Sequence, residues 1–149
     1  MRGFTLIELM VVLLIIGVLA TSVTLSMAPD THRQLQEEAF RFARVLEQAV
    51  DADQDGDTLA LSWGATGYTF QRQQAVSRWQ EVSSGFFGAR RWPEGIRAAQ
   101  LPGGMAHPPW LLWQDNQSPQ LGLSLSSATR RFEVFLSPLG RVSVRERLP

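Results

Sequence analysis

Met1-Arg-Gly-Phe-Thr-Leu-Ile-Glu-Leu-Met-Val-Val-Leu-Leu-Ile-Ile16 opens the chain, and the apolar run it begins continues to Met27 with one charge in it, Glu8. At about 1.5 Å per helical residue such a run reaches across a bilayer core, which takes about 20 residues. Glu8 is the difficulty, because an ionised side chain inside a membrane helix costs on the order of 3 kcal/mol. No Lys, Arg or His lies between Phe4 and Met27 to pair with it. A cut after Gly3 would supply a partner by freeing an α-amino group on Phe4, four residues before Glu8. That spacing puts amine and carboxylate on one helix face, or lets the Glu8 of one subunit meet the amine of its neighbour.

Gly3-Phe4-Thr5-Leu6-Ile7-Glu8 resembles the class III signal of type IV pilins and type II secretion pseudopilins. The resemblance implies a prepilin peptidase that cuts after Gly3 and methylates the new amino-terminal Phe4. It also implies that Glu8, fifth in the mature chain, guides docking into a helical filament. The leader Met1-Arg2-Gly3 is shorter than most in that family, so either it is minimal or the start codon lies upstream. Two plainer origins compete. An ordinary secretory signal would share Arg2 and the apolar run, with Ser26-Met27-Ala28 before a cut, but Pro29 would block that cut and Glu8 has no place in such a segment. A plain single-span anchor accounts for the run but not for the Gly-Phe-Thr-Leu sequence.

Composition fits one domain carried on that helix. The chain has 149 residues, no Cys, and 14 basic residues, all Arg, against 14 acidic ones. Loss of the leader would leave 13 Arg and 14 acids, a net charge of minus one. Neither a basic arm for nucleic acid nor an acidic tail is present. Absence of Cys excludes disulfides, thiolate metal sites and cysteine nucleophiles together. By the positive-inside rule Arg2 stays in the cytoplasm and the domain lies outside the inner membrane.

Pro29 punctuates the helix, since it lacks an N–H and crowds the preceding turn, and Asp30 or Thr31 can cap a restart. From His32 to Val50, Leu35, Ala39, Phe42, Ala43, Leu46, Ala49 and Val50 recur every three or four residues, which predicts an amphipathic helix. Glu37 and Arg41 form an (i, i+4) pair on its outer face. The expected result is one long, kinked helix. After Val50 the period becomes two, predicting strands at Thr58–Trp63, Tyr68–Arg72, Val76–Glu81, Ile96–Leu101, Trp110–Trp113, Leu121–Ser126 and Arg131–Leu136. Gly64-Ala-Thr-Gly67 and Ser137-Pro-Leu-Gly140 are turns, with Val142 and Val144 returning on the inner face. Ser83–Gly95 and Pro102–Pro109 are Gly/Pro-rich loops. The expected class is α+β: a long N-terminal helix, membrane half plus amphipathic half, packed on an antiparallel β-sheet domain. The expected divisions are a leader at 1–3, a transmembrane and filament-core helix at 4–28, and a periplasmic domain at 29–149 with a helix at 30–50 and β-structure at 58–147.

Ala43-Arg44 with Ala49, Gly67-Tyr68-Thr-Phe70, Trp79, Leu101-Pro-Gly103 and Ser137-Pro-Leu-Gly-Arg141 together resemble the H-type minor pseudopilin domain. The likeness runs over nearly the whole chain in short elements. It implies the pseudopilin fold and a structural subunit of a type II secretion pseudopilus tip, which helps drive export of folded proteins across the outer membrane. Implied partners are other minor and major pseudopilins, the prepilin peptidase and the inner membrane, with no small-molecule substrate. The same domain type occurs in minor pilins of type IV pili, including some that prime pili or take up DNA. Lack of a carboxy-terminal cysteine pair, of basic clusters beyond Arg90-Arg91 and Arg130-Arg131, and of extra length favours secretion.

Asp51-Ala-Asp53-Gln-Asp55-Gly56-Asp57 resembles the first half of a calcium loop, where a hard cation wants several oxygens on a tight turn. The twelfth position, which should be a bidentate Glu, is Ser62, and the ninth is Leu59, so a solvated acidic turn is expected and no metal. Trp92-Pro93 and Pro109-Trp110 with Trp113 either anchor an interface or cover the sheet; Trp63 and Trp79 read as core. Arg90-Arg91-Trp92 could grip a nucleic-acid strand, but alone in a neutral domain it reads as a solvated turn, which disfavours nucleic acid as a partner. His32 and His107 are too isolated for ligands or bases, and no Gly-x-Ser-x-Gly or phosphate-cradling loop occurs. No enzyme, catalytic residue or cofactor is expected.

Overall fold

The computed structural model describes residues 6–26, 31–54, 58–75, 78–83, 85–103 and 109–148. Gly3, Phe4, the Pro29 break and Asp55–Asp57 lie outside them. Two compact units make up the chain, Met1–Asp30 and Thr31–Pro149.

In the first unit α1 spans Leu6–Ser26, with Glu8 in its first turn. Its described side chains, Leu6 to Leu19, are exposed on every face. A helix apolar all round satisfies its own backbone but not its surface, so it calls for lipid or other helices around it. Among the described residues no helix is long and apolar enough to cross a membrane.

The second unit begins with α2, Thr31–Gln54. Leu35, Ala39, Phe42, Leu46, Ala49 and Val50 form its buried stripe, each at most 1% exposed. The helix runs four residues beyond Val50 because no Gly or Pro stops it before Gly56 and Ala52 still packs against the core. Asp51 and Asp53 therefore stand on its last turn, and Asp53 is buried, where a solvated acidic turn was expected. Glu37 pairs one turn back, accepting from Arg33 Nε at 2.8 Å, in place of the expected pair with Arg41.

Among the described residues nine strands follow, and they form two antiparallel sheets where one was expected. β1 (Leu59–Gly64) and β2 (Gly67–Ala75) make a hairpin closed by the Gly64–Gly67 pair. β3 (Arg78–Glu81) pairs with the far half of β2, Gln71 to Ala75, with a register shift between Gln73 and Ala75. β4, only Arg90–Arg91, pairs with the near half of the same edge, at Gly67 and Tyr68. β6 (Trp110–Leu111) lies on the other side of β1. The second sheet runs β5 (Arg97–Gln100), β7 (Leu121–Ser126), β8 (Arg131–Leu136) and β9 (Val142–Arg147). The division falls at Trp92–Ile96: both side chains turn into the core, and Gly95 adopts φ 83°, so β5 joins β7 instead of continuing beside β4.

One core joins α2 to both sheets. From the first sheet come Leu59, Leu61, Phe70 and Trp110, and from the second Leu121, Leu123, Leu125, Phe132, Val134 and Leu136. The last hairpin follows its alternation, with Phe132, Val134 and Leu136 inward. Phe135, apolar but between the inward Val134 and Leu136, sits on the outer face with the Arg145 guanidinium 5.6 Å from its ring centroid. Its turn closes as Gly140 N–H donates to Ser137 O at 2.9 Å, with Gly140 at φ 76°, a conformation open to glycine at no steric cost.

Candidate functional site

Glu8 is exposed in the first turn of α1, where the partial positive charge of a helix amino terminus favours a carboxylate. Its expected partner group, the amine of Phe4, and the cleavage position Gly3 lie outside the described residues, so the processing site stands on sequence.

The second unit brings together a constellation that periodicity alone does not give. Glu38 is on α2's inner stripe, three residues after Leu35 and four before Phe42, and only 5% exposed. Arg90 on β4 reaches it: Nε donates to both carboxylate oxygens at 3.1 Å, and Nη2 donates to Oε1. Two parallel charge-assisted contacts fix the angle between helix and strand as well as supplying attraction. The bond to Glu38 holds the Arg90 guanidinium protonated above its ordinary range. Arg90 is therefore not part of a solvated turn but the clasp between α2 and the sheet edge.

Trp92, two residues on, is 7% exposed and its Nε1 donates to Gly64 O at 3.0 Å. Phe42 packs edge-on against Tyr68 at 5.0 Å and against Trp92 at 5.7 Å. Trp110 is 1% exposed and stacks on Trp63 at 5.6 Å. Trp92 and Trp110 are thus core and Trp113 packs half-buried against it, while Trp63 and Trp79, expected as core, are half-buried, Trp79 on the edge strand β3.

Tyr68 lies between the clasp and the aromatic cluster. Burial, then the Glu38 carboxylate, push its hydroxyl above the ordinary 10.0, against the opposing pull of Arg90 and Arg41. The folded chain keeps this proton where the unfolded chain releases it, so stability is lost as pH rises past about 10. The chain has one Tyr, no Cys and no Lys, so no other side chain is due to titrate in that window. Tyr68→Phe is expected to abolish the alkaline fall in melting temperature while leaving the neutral value within a few degrees. An unchanged alkaline slope in the variant, measured by thermal melts from pH 8 to about 11, would reject the assignment.

Among the described residues no group of three His, Cys, Asp or Glu could hold a metal. His32 Nε2 instead lies 3.4 Å from Glu146 Oε1, which also accepts from Arg130 Nη1 at 2.8 Å, tying the start of α2 to β9.

Comparison with known proteins bears on the amino terminus and on the fold. Residues 1–24 match the prokaryotic N-terminal methylation motif. Type II secretion system protein H of Aeromonas hydrophila is 37% identical over 84 residues, which is 54% of this chain and 46% of that protein. The chain thus spans about half the length of this curated relative. The minor pseudopilin EpsH of the Vibrio cholerae type 2 secretion system superposes with a TM-score of 0.61 over 78% of this chain and 98% of its own, at 16% identity. That likeness shows the fold. The matched methylation motif thus precedes a domain that shares the α+β fold of EpsH.

Proposed function

We propose that this chain is a minor pseudopilin of a type II secretion system, a structural subunit without catalytic activity. The observation that carries this is the joining of Gly3-Phe4-Thr-Leu-Ile-Glu8, within the matched methylation motif, to a domain with the fold of EpsH. In this account the peptidase removes Met1–Gly3 and methylates Phe4. The mature chain waits in the inner membrane as a single pass, its carboxy-terminal domain in the periplasm. Assembly brings Glu8 against the Phe4 amine of a neighbour, replacing a costly lone charge with a pair. The all-round apolar surface of α1 is then covered by other pseudopilin helices, and the subunit joins the pseudopilus tip that helps drive export of folded proteins.

Two substitutions test this together. Gly3→Val is expected to leave the leader uncut and Phe4 unmethylated, and a mature mass equal to wild type would refute the processing. Glu8→Ala is expected to keep membrane insertion but lose most co-purification with the other pseudopilins; full co-purification would refute the pairing. Deletion of the gene then assigns the machine. Loss of exoproteins from the medium with surface pili intact is expected, and lost pili or DNA uptake with normal secretion would move the chain to a type IV pilus.

A further inference from the structure

Beside the clasp, a cleft of about 1100 Å³ opens between the outward turns of α2 and a wall formed by Ser83 and by residues between Gly85 and Arg90. Among the described phenylalanines only Phe40 and Phe86 are exposed, 44% and 53%, and they stand on its two walls. Neither position is loose. Phe40 is fixed on α2, and Phe86 meets Phe87 edge-on at 5.6 Å, which in turn packs 5.6 Å from the core residue Phe70. Two aromatic rings facing water across one cleft, the Phe86 ring held by Phe87, offer a contact surface, since aromatic side chains have few rotamers to order on binding.

The charge of the cleft indicates what would lie in it. Its two glutamates are already neutralised, Glu37 by Arg33 and Glu38 by Arg90. Arg41 and Arg44, also on the walls, are exposed and form no ion pair among the described residues. They are three apart on one helix, so their guanidinium groups share a face. The uncompensated charge is therefore positive, placed between two apolar contacts. The stretch of α2 along the cleft, Gln36 to Val45, is about 14 Å long at 1.5 Å per residue, the length of about four extended residues. A phosphate backbone would meet two carboxylates on the same wall and, beyond it, a chain of zero net charge, which gives no basic track to follow.

We infer that this cleft docks a short extended segment of a partner protein in which an aromatic or large aliphatic side chain is flanked by carboxylates. The apolar side chain sits between Phe40 and Phe86, and the carboxylates pair with Arg41 and Arg44, whose planar forks suit bidentate contact. This docking lies wholly in the second unit and does not depend on the processing or pairing of the first.

The test uses the full-length chain in detergent micelles and three fluorescently labelled probes. These are an acetylated Asp-Glu-Leu-Phe-Asp-Glu peptide, its charge-reversed counterpart Lys-Arg-Leu-Phe-Lys-Arg, and an oligothymidylate of matching length. The acidic peptide is expected to bind and to weaken at least tenfold in the double variant Arg41→Glu, Arg44→Glu, which should instead prefer the basic peptide. Phe40→Ser with Phe86→Ser is expected to weaken it to a similar degree at unchanged melting temperature. Failure of the acidic peptide to bind at millimolar concentration, equal binding of both peptides, or binding undiminished in the variants would overturn the proposal. Tighter binding of the oligothymidylate, lost in the arginine variant, would overturn it in favour of a nucleic-acid surface.

Discussion

Gly67→Ala is expected to destabilise the domain by about 2–3 kcal/mol, the upper part of the range for forcing an atom into a packed site. A methyl group at position 67 would collide with the carbonyl oxygen of Arg90 and lie 2.9 Å from Arg91 Cα. Both obstacles are backbone, so no side chain can swing away to make room. The strain falls on the two-residue pairing of β4 with Gly67 and Tyr68. Trp92 N–H also donates to Thr66 O at 3.0 Å just beyond it, so the whole 90–92 segment should lift together. A domain of this size loses roughly 3–5 °C per kcal/mol, which sets the expected fall in melting temperature at about 10 °C. The companion is Gly64→Ala at the other end of the same turn, where an added methyl meets nothing within 4 Å. It should cost at most about 1 kcal/mol, the scale of a strand propensity change. Equal losses in the two variants would refute the close approach as the cause.

Why position 67 must be glycine could not be read from Gly64-Ala-Thr-Gly67, although the turn itself could. Turn chemistry is local, and the constraint comes from a strand more than twenty residues away. The same limit explains most of what the sequence left open. Strands Leu121–Ser126 and Arg131–Leu136 fall at the expected residues because their alternation lasts long enough to show a period. β4 has two residues and no period at all, so it was hidden in the loop Ser83–Gly95. The separation into two sheets follows from Trp92 and Ile96 turning inward, a tertiary outcome with no local sign. Glu38 is different, because its position was informative. A carboxylate three residues after Leu35 and four before Phe42 falls on the apolar stripe, and a buried charge demands a partner. Helical periodicity could have singled it out, whereas the partner's identity, 52 residues on, required the fold. The amino-terminal motif lies at the opposite extreme. Under the proposed function Gly3, Phe4 and Glu8 would be read by a peptidase and by neighbouring subunits as linear chemistry, so the sequence carries the motif without any tertiary context.

Arg90→Met is expected to be as damaging as the glycine change, about 2–3 kcal/mol, and for an electrostatic reason. The Glu38 side chain is 7% exposed and the Arg90 side chain 35%. Removing one partner of a fully buried pair costs about 3–5 kcal/mol because the other charge is left unsatisfied. Here the partners are unequal, and the exposed third of Arg90 reduces the figure through solvent screening. Removing arginine strands the carboxylate in the core beside Tyr68 and Phe42. Removing the carboxylate, in Glu38→Met, leaves a guanidinium that can turn toward water in the adjoining cleft, at an expected cost of about 1 kcal/mol. The double variant replaces both charges with unbranched apolar chains of similar length and should return to within about 1 kcal/mol of the wild type, since neither group is then left desolvated and unpaired. Urea denaturation of the four proteins measures the cycle. A coupling of about 2 kcal/mol, with the arginine variant the weakest of the set, is the expected pattern. If Glu38→Met proved as costly as Arg90→Met and the losses simply added, the two residues would be contributing packing alone, and the clasp would not be what holds β4 against α2.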